Sequence, residues 1–330
     1  MLADDSLLFI DANKYLDLYC INDGRKLLAT LAEQVNYIFV TQQIFSEVQR
    51  NKISVAAEFF KKISKELKLQ TSNLPDHLSI TSSDQRKNIL NQTSEICKNI
   101  KKVNAEVDAL LLGLMEQISS SEDEVSKVLS SIFANAIPHS LEELQRARDR
   151  KELGNPPGKS TNPIGDQLTW EQILTHFKGK KRLWIISKDS DYGTVYGSKG
   201  FLNGFLYDEL CRVASEPEVY LFQDMAKGID HFIDTTGVKA EKRLTPEEVE
   251  EIDDQEKSLP DLTILNTEFI LELAELRKQQ LADSKKLSDS LRQLLGQPLA
   301  ESGKLSEALM RMFRQQITES RKLNDEEKTE

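Results

Sequence analysis

Four short apolar runs constrain this chain more than anything else in it. They are Leu7-Leu8-Phe9-Ile10, Tyr37-Ile38-Phe39-Val40-Thr41, Leu183-Trp184-Ile185-Ile186-Ser187 and Glu218-Val219-Tyr220-Leu221-Phe222. Each is too short for a buried helix. Being apolar nearly throughout, they fit strands covered on both faces. Between the first two, Lys14 to Leu31 carries Leu16, Leu18, Tyr19, Leu27, Leu28 and Leu31 at helical spacing, and Ile44-Phe45-Ser46-Glu47-Val48 opens another helix. Strand, helix, strand and helix within 50 residues predict a parallel α/β layer.

The residues at the ends of these runs point to chemistry. Asp11 closes the first run, and Asp189 and Asp191 follow the third; Glu47 and Asp166 fall on the helices beside them. Ligands of a parallel sheet bind outside the carboxyl ends of its strands. Carboxylates gathered there repel one another unless a divalent cation neutralises them. The pattern alone suggests a Mg²⁺ or Mn²⁺ site that handles phosphates. Asn13, Thr41 and Ser187 lie beside it and would position a ligand or a scissile phosphate, or simply cap local backbone.

The alternation breaks over residues 51–153. Phe59, Phe60, Ile63 and Leu67 form one helical stripe. A longer one runs from Ile96 to Leu114, and Val125, Val128, Leu129 and Ile132 form a third, so this reads as a helical insertion. Arg146 to Pro163 is basic and rich in loop formers, and its Arg148, Arg150, Lys151 and Lys159 are candidate phosphate contacts. A helix after Gly165-Asp166 carries Trp170 into the core, and Lys188 to Lys199 reads as a polar loop. The first unit thus spans 1–238. Residues 239–260 read as an acidic linker, and 261–330 as a helical hairpin with a disordered tail. The hairpin's stripes between 261 and 323 call for a surface to dock on, in its own chain, in a second copy as a homodimer, or on a regulatory protein.

Composition narrows the partners. The net charge of −11 argues against a broad basic surface for nucleic acid. Residues 239–330 carry −6 of it, and the five candidate ligands account for the −5 left on the first 238. With cations bound, that part would be near neutral. Apolar runs of a few residues cannot span a membrane, and the N-terminus does not read as a signal peptide. Cys20, Cys97 and Cys211, odd in number and without a CxxC, read as reduced thiols of a cytoplasmic protein. His77, His139, His176 and His231 lie near no partner that would give them a catalytic role. Dinucleotide, P-loop and Gly-x-Ser-x-Gly signatures are missing from the sequence. Asp-Ala-Asn at 11–13 lacks the second Asp of an aspartyl phosphotransferase.

The segments "LLFIDANKYLDLY", "FVTQQIFSEVQ", "GNPPGKSTNPIGDQLTWEQIL" and "LWIISKDSDYG" together resemble a PIN-domain nuclease, in its bacterial PIN-like branch with a long helical insertion. The likeness covers roughly residues 5–225. It implies a three-layer α/β/α fold that cleaves RNA, sometimes structured DNA, with divalent metal, in a stress or defence role restrained by a partner. It further implies that Asp11 and Asp189 are the central ligands, that Glu47 and Asp166 bind a second ion or orient its waters, and that Asp191 is a more variable neighbour. A non-catalytic binding module on the same fold and a DNA nuclease stay open at this point, because carboxylates do not read a 2′-hydroxyl.

Overall fold

The computed structural model describes residues 4–22, 24–70, 84–158, 164–197 and 199–259, with side chains in the fourth helix from residue 91. Four strands, β1 (Ser6–Ile10), β2 (Ile38–Phe39), β3 (Arg182–Ile186) and β6 (Glu218–Phe222), form one parallel sheet in the order β2-β1-β3-β6. Leu8 pairs with Ile38 on one side and with Trp184 on the other, and Trp184 pairs on with Tyr220. All of β1 is buried, as are Leu183 to Ile186. This two-sided cover explains why both strands are apolar throughout.

The helices are α1 (Ala12–Asp17), α2 (Arg25–Glu33), α3 (Gln42–Leu67), α4 (Asp84–Ser119), α5 (Glu124–Phe133), α6 (Leu141–Glu152), α7 (Gly165–Phe177), α8 (Gly204–Val213), α9 (Met225–Thr236) and α10 (Pro246–Ser258). With the sheet they make a three-layer α/β/α PIN-like fold. Trp184 stacks on Tyr220 at 4.6 Å between ring centres and meets Phe232 of α9 edge-on at 5.1 Å. Its indole nitrogen donates to His231 Nδ1 at 3.0 Å, so His231 serves the core. Trp170 is fully buried, as expected.

Three readings of the sequence change. The long helical stripe after Lys14 is two helices, α1 ending at Asp17 and α2 starting at Arg25. The loop expected from Lys188 contains a small antiparallel hairpin, β4 (Gly193–Tyr196) and β5 (Lys199–Leu202). The expected acidic linker is largely helix. α10 starts with a capping box from Thr245 and Glu248 and packs against α9, and its Val249 and Ile252 are buried. Its Glu256 also reaches Lys14 of α1, with Nζ to Oε1 at 2.7 Å, and accepts from the Met225 backbone at 2.9 Å. Lys14, Asp17 and Glu256 are almost wholly buried. Burial alone would lower the Lys14 pKa, but Glu256 and Asp17 more than reverse this and hold it above the usual lysine value. The hairpin and tail expected over 261–330 lie outside the described residues. Among those described, no helix is long and apolar enough to cross a membrane, and Cys20, Cys97 and Cys211 form no disulfide.

Candidate active site

The sheet order sets where a site can form. From β1 the chain moves outward to β2, and then returns on the other side of β1 to build β3 and β6. The carboxyl ends of β1 and β3 therefore flank the point where the winding reverses, the usual place for a ligand in such sheets. Asp11 leaves β1 there, its backbone N–H donating to Ile186 O at 2.9 Å. Ser187 and Asp189 leave β3 beside it.

Asp11 is held on every side. Oδ1 accepts from the Ala12 amide at 2.7 Å, and Oδ2 accepts from Ser187 Oγ at 2.5 Å and from Asn13 Nδ2 at 2.9 Å. Ser187 Oγ also accepts from the Asp189 amide at 3.0 Å, so one hydroxyl ties the two strand ends together. Asn13 Oδ1 accepts from the Lys188 amide at 3.4 Å. Sequence reasoning put Asn13 and Ser187 near a ligand; the structure gives both to the orientation of Asp11. Thr41 is fully buried and its hydroxyl caps α3, accepting from the Ile44 amide at 3.2 Å, which removes it from substrate contact. Asp166 lies in the first turn of α7, where the helix dipole favours a carboxylate. The first turns of α3 and α7 approach closely. A Cβ on Gly165 would lie 2.5 Å from Gln43 Nε2, and Gln43 in turn hydrogen-bonds Glu47.

Electrostatics show which acids share the space. Burial pushes the Asp11 carboxyl up to about 7, with Asp166 and Glu47 adding to the rise and the Ser187 hydrogen bond opposing it. Glu47 is raised by burial and by Asp189, against the pull of Arg50. The buried Tyr192 hydroxyl is driven well above its ordinary value, first by burial and then by four carboxylates, those of Asp11, Asp166, Asp189 and Glu47. One side chain thus senses all four. Asp191 is not among the groups acting on Tyr192, Asp11 or Glu47.

The basic segment behaves otherwise than expected. Residues 146–152 belong to α6, and Arg150, 5% exposed, cannot reach a solvent phosphate. Its guanidinium donates to Glu171 Oε1 at 2.6 and 2.9 Å, to both oxygens of Glu209 at 2.8 and 2.9 Å, and to Pro156 O at 2.7 Å. Trp170 Nε1 shares Glu209 at 2.9 Å. Arg150 therefore clamps α6 and α8 to α7, the helix that carries Asp166. Arg146 also pairs with Glu171. Arg148 is exposed, Lys151 is half-buried, and Lys159 lies outside the described residues. Arg150→Ala is expected to cost about 3–5 kcal/mol by stranding two carboxylates. Urea unfolding checks this, and an unchanged midpoint would contradict the clamp. Two residues that sequence reasoning passed over lie close to these acids. They are Tyr192, next to the last acid of its motif, and Arg50, exposed one turn beyond Glu47 on α3.

An all-carboxylate donor set suits Mg²⁺ or Mn²⁺. Among the described residues no three His, Cys, Asp or Glu side chains converge into a ready-made cage. Mg²⁺ does not require one, since it keeps several waters and takes one or two carboxylates. The raised Asp11 pKa reflects both burial and crowded negative charge, and a cation would relieve the charge. The donors therefore fit such an ion.

A parallel α/β/α sheet with carboxylates at its switch point defines a class of phosphate-handling hydrolase folds. The family model described as PIN like domain matches residues 7–192, and the chain belongs to this family. PIN domains are in general nucleases that bind nucleic acid and typically use divalent metal ions. No curated protein and no solved structure matches the chain.

Proposed function

We propose that this chain is a Mg²⁺- or Mn²⁺-dependent endoribonuclease whose site is Asp11, Glu47, Asp166 and Asp189. The observation that carries the reading is geometric: Ser187 ties Asp11 at the end of β1 to the Asp189 loop after β3, and Asp166 and Glu47 sit on α7 and α3, whose first turns meet at Gly165 and Gln43. In it, Asp11 and Asp189 hold the central cation, and Glu47 and Asp166 hold a second one or orient its waters. Bound cations lower the pKa of an attacking water and neutralise charge that develops on the phosphate.

The chain's own groups do the rest. Ala12, Asn13 and Ser187 fix the Asp11 carboxylate through three hydrogen bonds, so little reorganisation is needed when charge develops. Ser187 also fixes the start of the Asp189 loop. Arg50 stands exposed beside Glu47, suited to a scissile or neighbouring phosphate. Arg148 and Lys151 are further candidates, while Arg150 acts as a positioning residue. Asp191 is left outside the inner set.

Labelled RNA and DNA incubated with the pure chain, with Mn²⁺ or with EDTA, test this. Internal cleavage of RNA is expected with Mn²⁺ and none with EDTA. Cleavage of DNA alone would replace the RNA half of the reading. No cleavage of either would return the chain to a binding role.

A further inference from the structure

The β4–β5 hairpin begins at the residue after Tyr192 and is tied back to it, the Asn203 amide donating to Tyr192 O at 2.8 Å. Opposed residues of an antiparallel pair share a face. The register pairs Thr194 with Phe201 and Tyr196 with Lys199, so these four point the same way. On the other face, Gly193 and Gly200 lie against Leu221 of β6, the sheet's outer strand. A Cβ on Gly200 would lie 2.1 Å from Leu221 O, so only glycine allows this approach. The outward face is left open, with Tyr196 83% and Phe201 49% exposed. Lys199 Nζ lies 5.6 Å from the centre of the Phe201 ring. Exposed Phe205 and Tyr207 follow at the start of α8.

Rings left in water on a short hairpin add little to the core, and exposed apolar patches mark interaction sites. Charge narrows the partner. In a chain of net charge −11, residues 193–207 contain a lysine and no acid. Aromatic faces interleaved with a cation, next to carboxylates that would handle phosphates, match what unpaired nucleic acid requires. Bases stack on the rings and the lysine meets the backbone. A duplex keeps its bases stacked on each other and cannot use the rings. At about 3.3 Å per residue, Tyr196 lies ~13 Å along the strand from Tyr192, within the reach of one bound strand.

We propose that the outward face of β4–β5, Tyr196 and Phe201 with Lys199, is a stacking platform for the unpaired bases of a single-stranded substrate. This rests on the nuclease reading and adds the surface that would hold the strand beside the scissile bond.

The test is binding, measured in EDTA so that no metal-dependent cleavage intervenes. Fluorescein-labelled oligo(U), oligo(dT) and a blunt duplex of equal length are titrated with the full chain by anisotropy. Replacing both Tyr196 and Phe201 by Ala should weaken binding to both single strands roughly tenfold for each ring lost and leave duplex binding unchanged. Tyr196→Trp should keep single-strand affinity, whereas Tyr196→Leu, apolar but without a π-face, should not. Single-strand affinity unchanged within twofold, equal loss on single strands and duplex, or a Leu variant as good as Trp would each overturn the platform. So would a concentration-dependent dimer that the double variant abolishes, because the face would then belong to a second copy. The two readings fail separately. A chain that cleaves nothing but loses single-strand binding in the double variant keeps the platform without the nuclease. A chain that cleaves RNA with unchanged binding in the variant keeps the nuclease without the platform.

Discussion

Replacing Asp11 by asparagine is expected to remove metal-dependent cleavage and, in EDTA, to make the protein more stable above neutral pH. The two effects have one source. Asp11 is buried among like charges and its carboxyl is pushed up to about 7, so the native state holds this proton more tightly than the unfolded chain does. A carboxyl raised in this way contributes stability at low pH that is lost as the pH climbs from the ordinary aspartate range through about 7. The rise of about three units corresponds to a cost on the order of 4 kcal/mol at alkaline pH, before relaxation reduces it. Thermal unfolding in EDTA between pH 4 and 8 should show the wild type falling more steeply over this window than the Asn variant, in which Glu47 and Asp224 still titrate. Adding Mn²⁺ should raise the melting temperature of the wild type more than that of the variant. A fully active Asn variant would falsify the mechanism. Parallel melting curves would show that Asp11 titrates normally.

The second large effect is expected at Glu256, far from the carboxylates in sequence. Glu256→Ala leaves Lys14 buried with only Asp17, which Lys188 already shares at 2.8 Å. Stranding one partner of a buried ion pair costs about 3–5 kcal/mol, a large part of the stability of a typical domain. Replacing both partners, Lys14→Met with Glu256→Leu, should recover most of the loss, because a well-packed apolar pair can stand in for a buried ionic one. Denaturant unfolding of the full chain checks both. A single variant as stable as the wild type would mean that water reaches Lys14. The relay also touches the candidate site. Glu256, Lys14, Asp17 and Lys188 run in sequence, and Lys188 precedes Asp189. A chain ended at residue 238 therefore loses more than a linker.

The strands were the most legible part of the sequence, because burial on both faces leaves only apolar residues to read. The acids beside them were legible for the same reason, being sharp departures from that pattern. What escaped reading were elements whose purpose is local electrostatics or close approach. α10 looked like a linker because its acids outnumber its apolar residues. Yet Thr245-Pro246-Glu247-Glu248 is a helix start, and Val249, Ile252 and Glu256 fall on one helical face. β4 and β5 are short and glycine-bearing, with one face turned to water, so no apolar run announces them. Arg150 looked like one more charge in a basic segment, since its two carboxylate partners lie 21 and 59 residues further on. The place of Tyr192 follows only from the fold, which surrounds it with acids from four separate segments.

The pairing of β1 with β3 has a consequence for the order in which the protein is made. Asp11 and Glu47 are present in the first 50 residues, but their companions Asp166 and Asp189 come more than 100 residues later, after the helical insertion. A chain emerging from the ribosome, or one released early, carries half the acids and lacks β3, the strand beside which Asp11 is oriented by Ser187. The full set of four exists only once synthesis has passed residue 189. On the proposed reading, an unfinished copy would lack half of its metal ligands while it is still attached to the RNA that encodes it.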